Sequence, residues 1–205
     1  MNKKGLLFIV SAPSGAGKTT LCKELASSPA VGSLRHSVSH TTRGKRPGEM
    51  EGEHYYFVTE DKFAAIRDSG GFVEWAKVHG NLYGTSRAEL ERIFAGGGDV
   101  ILDIDTQGAA KVRESGTGGV FIFILPPSMQ ELEKRLRSRN SDDEDEIRRR
   151  LARAVEEIKS FGMYDYIIVN DNMLKALDEL AAVVKAERRK LQNVDPEWIT
   201  KNFGV

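Results

Sequence analysis

A single cysteine, Cys22, in a chain of 205 residues leaves no internal disulfide to form and argues against a cysteine-rich metal site. Excess charge is missing as well. The 30 Lys and Arg residues balance the 30 Asp and Glu residues, so no global field draws the chain to nucleic acid or to an acidic membrane. Any anion site has to be built locally. Long hydrophobic runs are absent: Val120–Leu125 falls far short of the ~20 residues that cross a bilayer. Lys3 and Lys4 followed by Leu6–Val10 imitate a secretion signal, but that run is shorter than the roughly 7–15 apolar residues such a region needs. A soluble, cytoplasmic protein is expected. The 4 histidines show no metal-ligand spacing and no Ser/His/Asp context, which weakens metallohydrolase and acyl-transfer readings. Internal repeats and low-complexity linkers are also lacking, and the length suits one domain with a substantial core.

What is present is concentrated near the N-terminus. Leu6–Val10 is apolar throughout, long enough for a buried strand and too short for a buried helix. Gly15 and Gly17 then allow a tight turn that brings backbone N–H groups close to a ligand. Lys18, Thr19 and Thr20 open a helix carrying Leu21 and Leu25 on one face. Strand, glycine loop and Lys-Thr form a phosphate cradle, with Lys18 reaching the β- and γ-phosphates and the Thr19 hydroxyl able to ligate Mg²⁺. The strict pattern has glycine where this chain has Ala12, so the match is to a relaxed form.

Further strands are expected over Leu34–Ser39, Tyr55–Val58, Phe72–Val78, Asp99–Asp105, Val120–Leu125 and Tyr166–Val169. Helices are expected from Glu60 to Asp68, from the capping box Ser86–Glu89 to Gly96, from Ser128 onward, through Ile147–Ile158, and from Leu174 to Leu191. Core strands alternating with helices argue for an α/β fold, a parallel sheet covered on both faces. Residues 39–98 read as an inserted, partly antiparallel subdomain, and the charged stretch 126–158 as a helical lid.

Several side chains admit two readings. Asp103 is either an acid ending a strand or a member of the Mg²⁺ shell with Thr19. Arg43 and Arg46 form either an exposed basic loop or a bidentate phosphate grip. The arginines between Arg135 and Arg153, set against the acids Asp142–Glu146, mostly suit a solvated helix face, with one or two free to reach a site. Glu74, on a strand beside Trp75, ordinarily faces solvent.

Together, Ala12-Pro-Ser-Gly-Ala-Gly-Lys-Thr19, Ser37-Val-Ser-His-Thr-Thr-Arg43, Arg46-Pro-Gly-Glu49, Gly52-Glu-His-Tyr-Tyr-Phe57, Tyr83-Gly-Thr85, Asp103-Ile-Asp-Thr-Gln-Gly108 and Ile168-Val-Asn-Asp171 resemble guanylate kinases of the bacterial type, over about residues 4–191. The resemblance implies a P-loop nucleoside monophosphate kinase fold in one domain, residues 1–205. Its core would be 1–35, 99–125 and 159–192, its GMP-binding insert 36–98 and its lid 126–158. It implies transfer of a phosphoryl group from ATP to GMP with Mg²⁺, and use of dGMP, in guanine nucleotide supply. ATP would lie on Ala12, Pro13, Ser14, Gly15, Ala16, Gly17, Lys18, Thr19 and Thr20, with Asn170 on the adenine side. GMP would meet Ser39, Arg43, Arg46, Tyr55, Glu74, Tyr83, Thr85 and Asp105. Lys18, Arg43, Arg139 and Arg150 would stabilise the transferring group. Thr106 stands where relatives are expected to carry Trp or Met, and Thr85 replaces a Ser found in some members. Two rival functions remain: a silent phosphopeptide-binding module of the same fold, and a P-loop kinase for another small phosphate ester.

Overall fold

A computed structural model describes residues 5–78, 80–138 and 143–204. Five parallel strands form the central sheet in the order β2 (Leu34–His36), β7 (Asp99–Asp103), β1 (Leu7–Ser11), β8 (Val120–Leu125), β9 (Tyr166–Val169). Strand β1 is apolar at every position but the last because both its faces are covered. Phe8 and Val10 meet α1 (Lys18–Ser27) and α7 (Met173–Glu187) on one face. Leu7 and Ile9 meet α3 (Arg87–Ala95) and α4 (Thr106–Glu114) on the other. The sheet is therefore the middle layer of three, and its strand ends open a crevice at their C-terminal edge.

A second, mixed sheet has the order β4 (Tyr56–Phe57), β3 (His40–Thr41), β6 (Asn81–Ser86), β5 (Phe72–Val78), with α2 (Glu60–Asp68) packed on it. Within it, Phe72 pairs with Ser86 and Glu74 with Thr85, so two residues of β5 advance against one of β6. This irregularity has a large consequence. It breaks the in–out alternation, and Phe72, Val73 and Glu74 are buried in succession.

Helices α5 (Met129–Arg137) and α6 (Glu144–Lys159) pack on each other around Leu132, Leu136 and Ala154. Their outer faces carry the expected ion pairs: Arg137 with Glu133 and Glu144, Arg148 with Asp145, Arg149 with Glu146. Helix α8 (Pro196–Phe203) buries none of its residues and holds Trp198 edge-on to Phe203. Among the described residues, no helix is long and apolar enough to cross a membrane.

The side-chain caps at Ser86 and Ser128 sit where the sequence places them, and Thr59 caps α2 in the same way. Several elements differ from expectation, the short strand β3 and helix α8 among them. Helix α4 has no counterpart in the sequence reading, since Gly108 interrupts its weak apolar pattern. Strand β6 hides behind the Tyr83-Gly-Thr85 motif. Strand β9 lies at the sheet edge, leaving Ile167 and Val169 exposed rather than in the core.

Candidate active site

Most helices begin on a side-chain cap, but α1 begins on Gly17, with no side chain bonded to its first amides. Those N–H groups stay available to an anion. Gly15 and Gly17 adopt φ of 96° and 90°, which L residues with side chains rarely reach. The loop is also gripped from outside. A Cβ on Gly15 would stand 3.0 Å from Leu136 and 3.1 Å from Leu132 of α5, and one on Gly17 would stand 2.6 Å from Asn170 Nδ2. That amide donates to the Ala16 carbonyl at 2.8 Å. Arg135 of α5 in turn donates to the Asn170 carbonyl at 3.0 Å. Ala12, where the strict pattern has glycine, is buried and packs into the core.

Gly17→Ala therefore combines a left-handed backbone, about 1–2 kcal/mol, with loss of the Asn170–Ala16 bond, about 1 kcal/mol. A thermal melt should fall by about 5–10 °C in a chain of this size.

Lys18 extends across the sheet edge. Its Nζ lies 2.6 Å from Asp103 Oδ1 and donates to the Ile104 carbonyl at 2.6 Å. Burial works against both charges, but the pair prevails: Lys18 is held above the ordinary ammonium range and Asp103 below the carboxylate range, helped by the Thr19 hydroxyl. Burial, reinforced by Asp103, pushes the Cys22 thiol well up, so this cysteine is a packed, unreactive side chain. Thr19 and Asp103 offer only oxygen donors at the mouth of the loop. That donor set fits Mg²⁺, a hard cation that keeps much of its own water.

A cleft of about 570 Å³ runs from Ser14, Thr19 and Asp103 to Ser39, Tyr55, Glu74, Tyr83 and Asp105. Glu74 is its most unusual member. Only 6% exposed, it takes two hydrogen bonds on Oε1 from Thr85, 3.1 Å from the backbone N–H and 2.8 Å from the hydroxyl. Burial outweighs these bonds and, with Asp105 adding repulsion, pushes Glu74 up to about 7. Asp105 accepts the Gly108 N–H at 2.8 Å and so caps α4.

At the far end, Arg43 forms a fork with Glu49, at 3.0 and 2.6 Å, and its guanidinium stands 5.3 Å from the Tyr55 ring centroid. These bonds hold Glu49 down to about 2. Tyr55 and Tyr83 meet edge-on at 5.9 Å. Arg46 is exposed, and its backbone N–H donates to Glu49. Ser39 lines the cleft and accepts the Tyr56 N–H through its carbonyl.

One site of the sequence reading stands outside this gathering. Arg150, on α6, is 3.4 Å from Glu146 and lines a separate hollow of about 410 Å³ with Arg149 and Arg153. Arg139 lies outside the described residues. Glu74 corrects the usual expectation for a charged strand residue, because it faces inward. Glu49 carried a signal in Arg46-Pro-Gly-Glu49, yet its hold on Arg43 depends on a loop closure that spacing does not give. A larger hollow, about 940 Å³, opens at the opposite end of the strands between Leu6, Gly119 and Asn193. Lys190, the only cation among its described lining residues, is paired with Glu187 at 2.6 Å.

Comparison with known proteins agrees with this geometry. The family model described as guanylate kinase matches residues 4–187. A guanylate kinase of Geobacter metallireducens is 53% identical over the whole of both chains. One of Geobacter sulfurreducens is 52% identical over 95% of each. A solved guanylate kinase structure from Anaplasma phagocytophilum superposes with a TM-score of 0.77 at 34% identity, covering 100% of this chain and 99% of its own. Matched along nearly its whole length, phosphate loop and second sheet included, the chain belongs to the guanylate kinase family.

Proposed function

We propose that the protein transfers the γ-phosphoryl group of ATP to GMP, giving ADP and GDP, with both nucleotides seated in the one cleft. The observation that carries this reading is Glu74, a buried carboxylate facing the same cleft as Lys18. Guanine presents N1–H and N2–H₂ side by side, and a carboxylate accepts both. Adenine presents an acceptor at that edge and leaves the carboxylate unpaired, a mismatch that polar sites reject by roughly 10⁴–10⁵. The guanine edge is common to GMP and dGMP, so both are expected substrates. A phosphopeptide-binding module has no use for such a pairing group, nor a kinase for a sugar phosphate.

Residues 1–35, 99–125 and 159–192 are assigned to the core, 36–98 to the GMP-binding insert and 126–158 to the lid. The ATP phosphates are assigned to the loop 12–19 and Thr20, and the adenine side to Asn170. Arg43, Arg46, Tyr55 and Tyr83 are assigned to the GMP phosphate, and Ser39, Glu74, Thr85 and Asp105 to the base. Mg²⁺, held by Thr19 and Asp103 either directly or through water, supplies charge neutralisation on the ATP phosphates when bound. A GMP phosphate oxygen attacks the γ-phosphorus, the bond to the β,γ-bridging oxygen breaks, and ADP carries away the electron pair. The attacking phosphate is already ionised, so no strong general base is needed, and catalysis rests on positioning and cations. Lys18 serves directly, and Arg139 and Arg150 are assigned to arrive when the lid closes. The nucleotide substrates support assigning the reaction to the cytoplasm.

An ADP-release assay with ATP, Mg²⁺ and a panel of GMP, dGMP, AMP, CMP and UMP tests the reading. Turnover should be confined to the guanine nucleotides, and turnover spread evenly across the panel would sink it. The KM for GMP carries a further signature. Ionised Glu74 is the pairing form and Glu74 titrates near 7, so KM should be flat above that pH and rise about tenfold per unit below it. The GMP phosphate has its own ionisation near ~6, which a Glu74→Gln variant isolates because it lacks the carboxylate.

A further inference from the structure

Helix α4, on one face of the central sheet, touches strand β5 of the second sheet at two successive residues. A Cβ on Gly108 would lie 2.9 Å from Glu74 Oε2, so the helix passes the carboxylate at a distance only glycine allows. Three residues on, and so on the same helix face, stands Lys111. Its Nζ donates to the Trp75 carbonyl at 2.5 Å and lies 4.8 Å from the centroid of the Trp75 indole. Arg67 of α2 stands 5.6 Å from the same ring. Strand β5 is the edge of its sheet, so its outward carbonyls have no strand partner, and Lys111 satisfies one of them. That carbonyl belongs to the residue directly after Glu74, at the irregularity that turns Glu74 inward.

We propose that Lys111 is a positioning residue for guanine recognition, clasping β5 at Trp75 so that the Glu74 carboxylate stays fixed against Gly108. The proposal rests on Glu74 being the group that reads guanine. Lys111 touches no nucleotide atom in this account and acts through β5. Its charge acts in the same direction as its grip. The charged groups facing Glu74 are Asp105, which caps α4 and disfavours ionisation, and Lys111 on α4 itself, which favours it. Strand β6 contributes the uncharged Thr85.

The test compares Lys111→Met, Lys111→Arg and Glu74→Gln by KM for each nucleotide, kcat and the pH profile of KM for GMP. Methionine keeps an apolar stem over the indole and removes both donor and charge. Lys111→Met should raise KM for GMP about three- to tenfold, leave KM for ATP and kcat within about twofold, and shift the pH midpoint upward. Lys111→Arg, which retains charge and donor, should restore the parent values. In a Glu74→Gln background, Lys111→Met should cause no pH shift. Unchanged KM for GMP in Lys111→Met, or equal losses for both nucleotides with a lowered melting temperature, would overturn the proposal. Failure of the underlying reading looks different: Glu74→Gln would itself leave KM for GMP at the parent value.

Discussion

Lys18→Met should lower kcat for GMP phosphorylation by about 10³-fold or more while GMP affinity stays within about twofold. The size follows from the chemistry. Phosphoryl transfer offers little covalent work to a protein, so removing one preorganised cation beside the moving charge costs on the order of 10²–10⁵ in rate. The selectivity follows from position. Lys18 lies at the phosphate loop, bonded to Asp103 and the Ile104 carbonyl, while the residues assigned to GMP sit on β5 and β6 and in the loops on either side of β3, with Asp105 alone close by at the start of α4. Calorimetric titration with GMP measures the one quantity, and the ADP-release assay the other. A cost in stability accompanies the change, because Asp103 is left buried without its cation. Breaking such a pair costs about 3 kcal/mol or more, which lowers the melting temperature by roughly 6–12 °C in a chain of this length. Activity is therefore best compared well below the parent melting temperature. A variant that folds, binds GMP and turns over at a tenth of the parent rate would remove Lys18 from the transfer step.

Parts of this site are legible in the residues because their physics is local. Leu6–Val10, Gly15, Gly17 and Lys18 announce strand, turn and helix within one short stretch, and the structure places them so. Ser86 and Ser128 cap helices through amides three residues away, a range that sequence spacing describes directly. Helix α4 was invisible for the opposite reason. Its glycine weakens the helical pattern, and at that glycine Glu74 from the other sheet passes too close for a side chain. Glu74 itself breaks the alternation rule through a register shift with β6, which no period-two reading of β5 reveals. Arg43 and Glu49 share a motif, but their fork needs the turn through Pro47 and Gly48 to bring them together. In the sequence, Asp105 enters the site only through the family resemblance; one of its oxygens is occupied in capping α4. What local spacing misses here is mostly contact between the two sheets.

Glu74→Gln should reduce kcat/KM for GMP by about 10²-fold or more and narrow the preference for GMP over AMP. The replacement is nearly isosteric, so packing is not the cause. Thr85 presents two donors, its N–H and its hydroxyl, to the same oxygen, Oε1. In glutamine, only the amide carbonyl oxygen can meet both donors without a donor–donor clash. That pins the carbonyl toward Thr85 and turns the NH₂ toward Gly108 and the guanine edge. Guanine brings N1–H and N2–H₂ to that edge, so donor faces donor and buried groups go unpaired. Adenine brings an acceptor at N1, which an NH₂ can satisfy, so AMP loses less than GMP does. Charge enters separately from pairing. The carboxylate is already reluctant to ionise at neutral pH, held near 7 by burial and by Asp105, and guanine binding stabilises the ionised form. The pH dependence of GMP binding near 7 should therefore vanish in Glu74→Gln, leaving only the ionisation of the substrate phosphate. A Thr85→Val variant separates the two arguments. It keeps the carboxylate but removes the hydroxyl that orients it, so GMP affinity should fall less than in Glu74→Gln while the pH dependence survives. Equal damage in the two variants, with the pH dependence intact in both, would mean that guanine is read by groups other than Glu74.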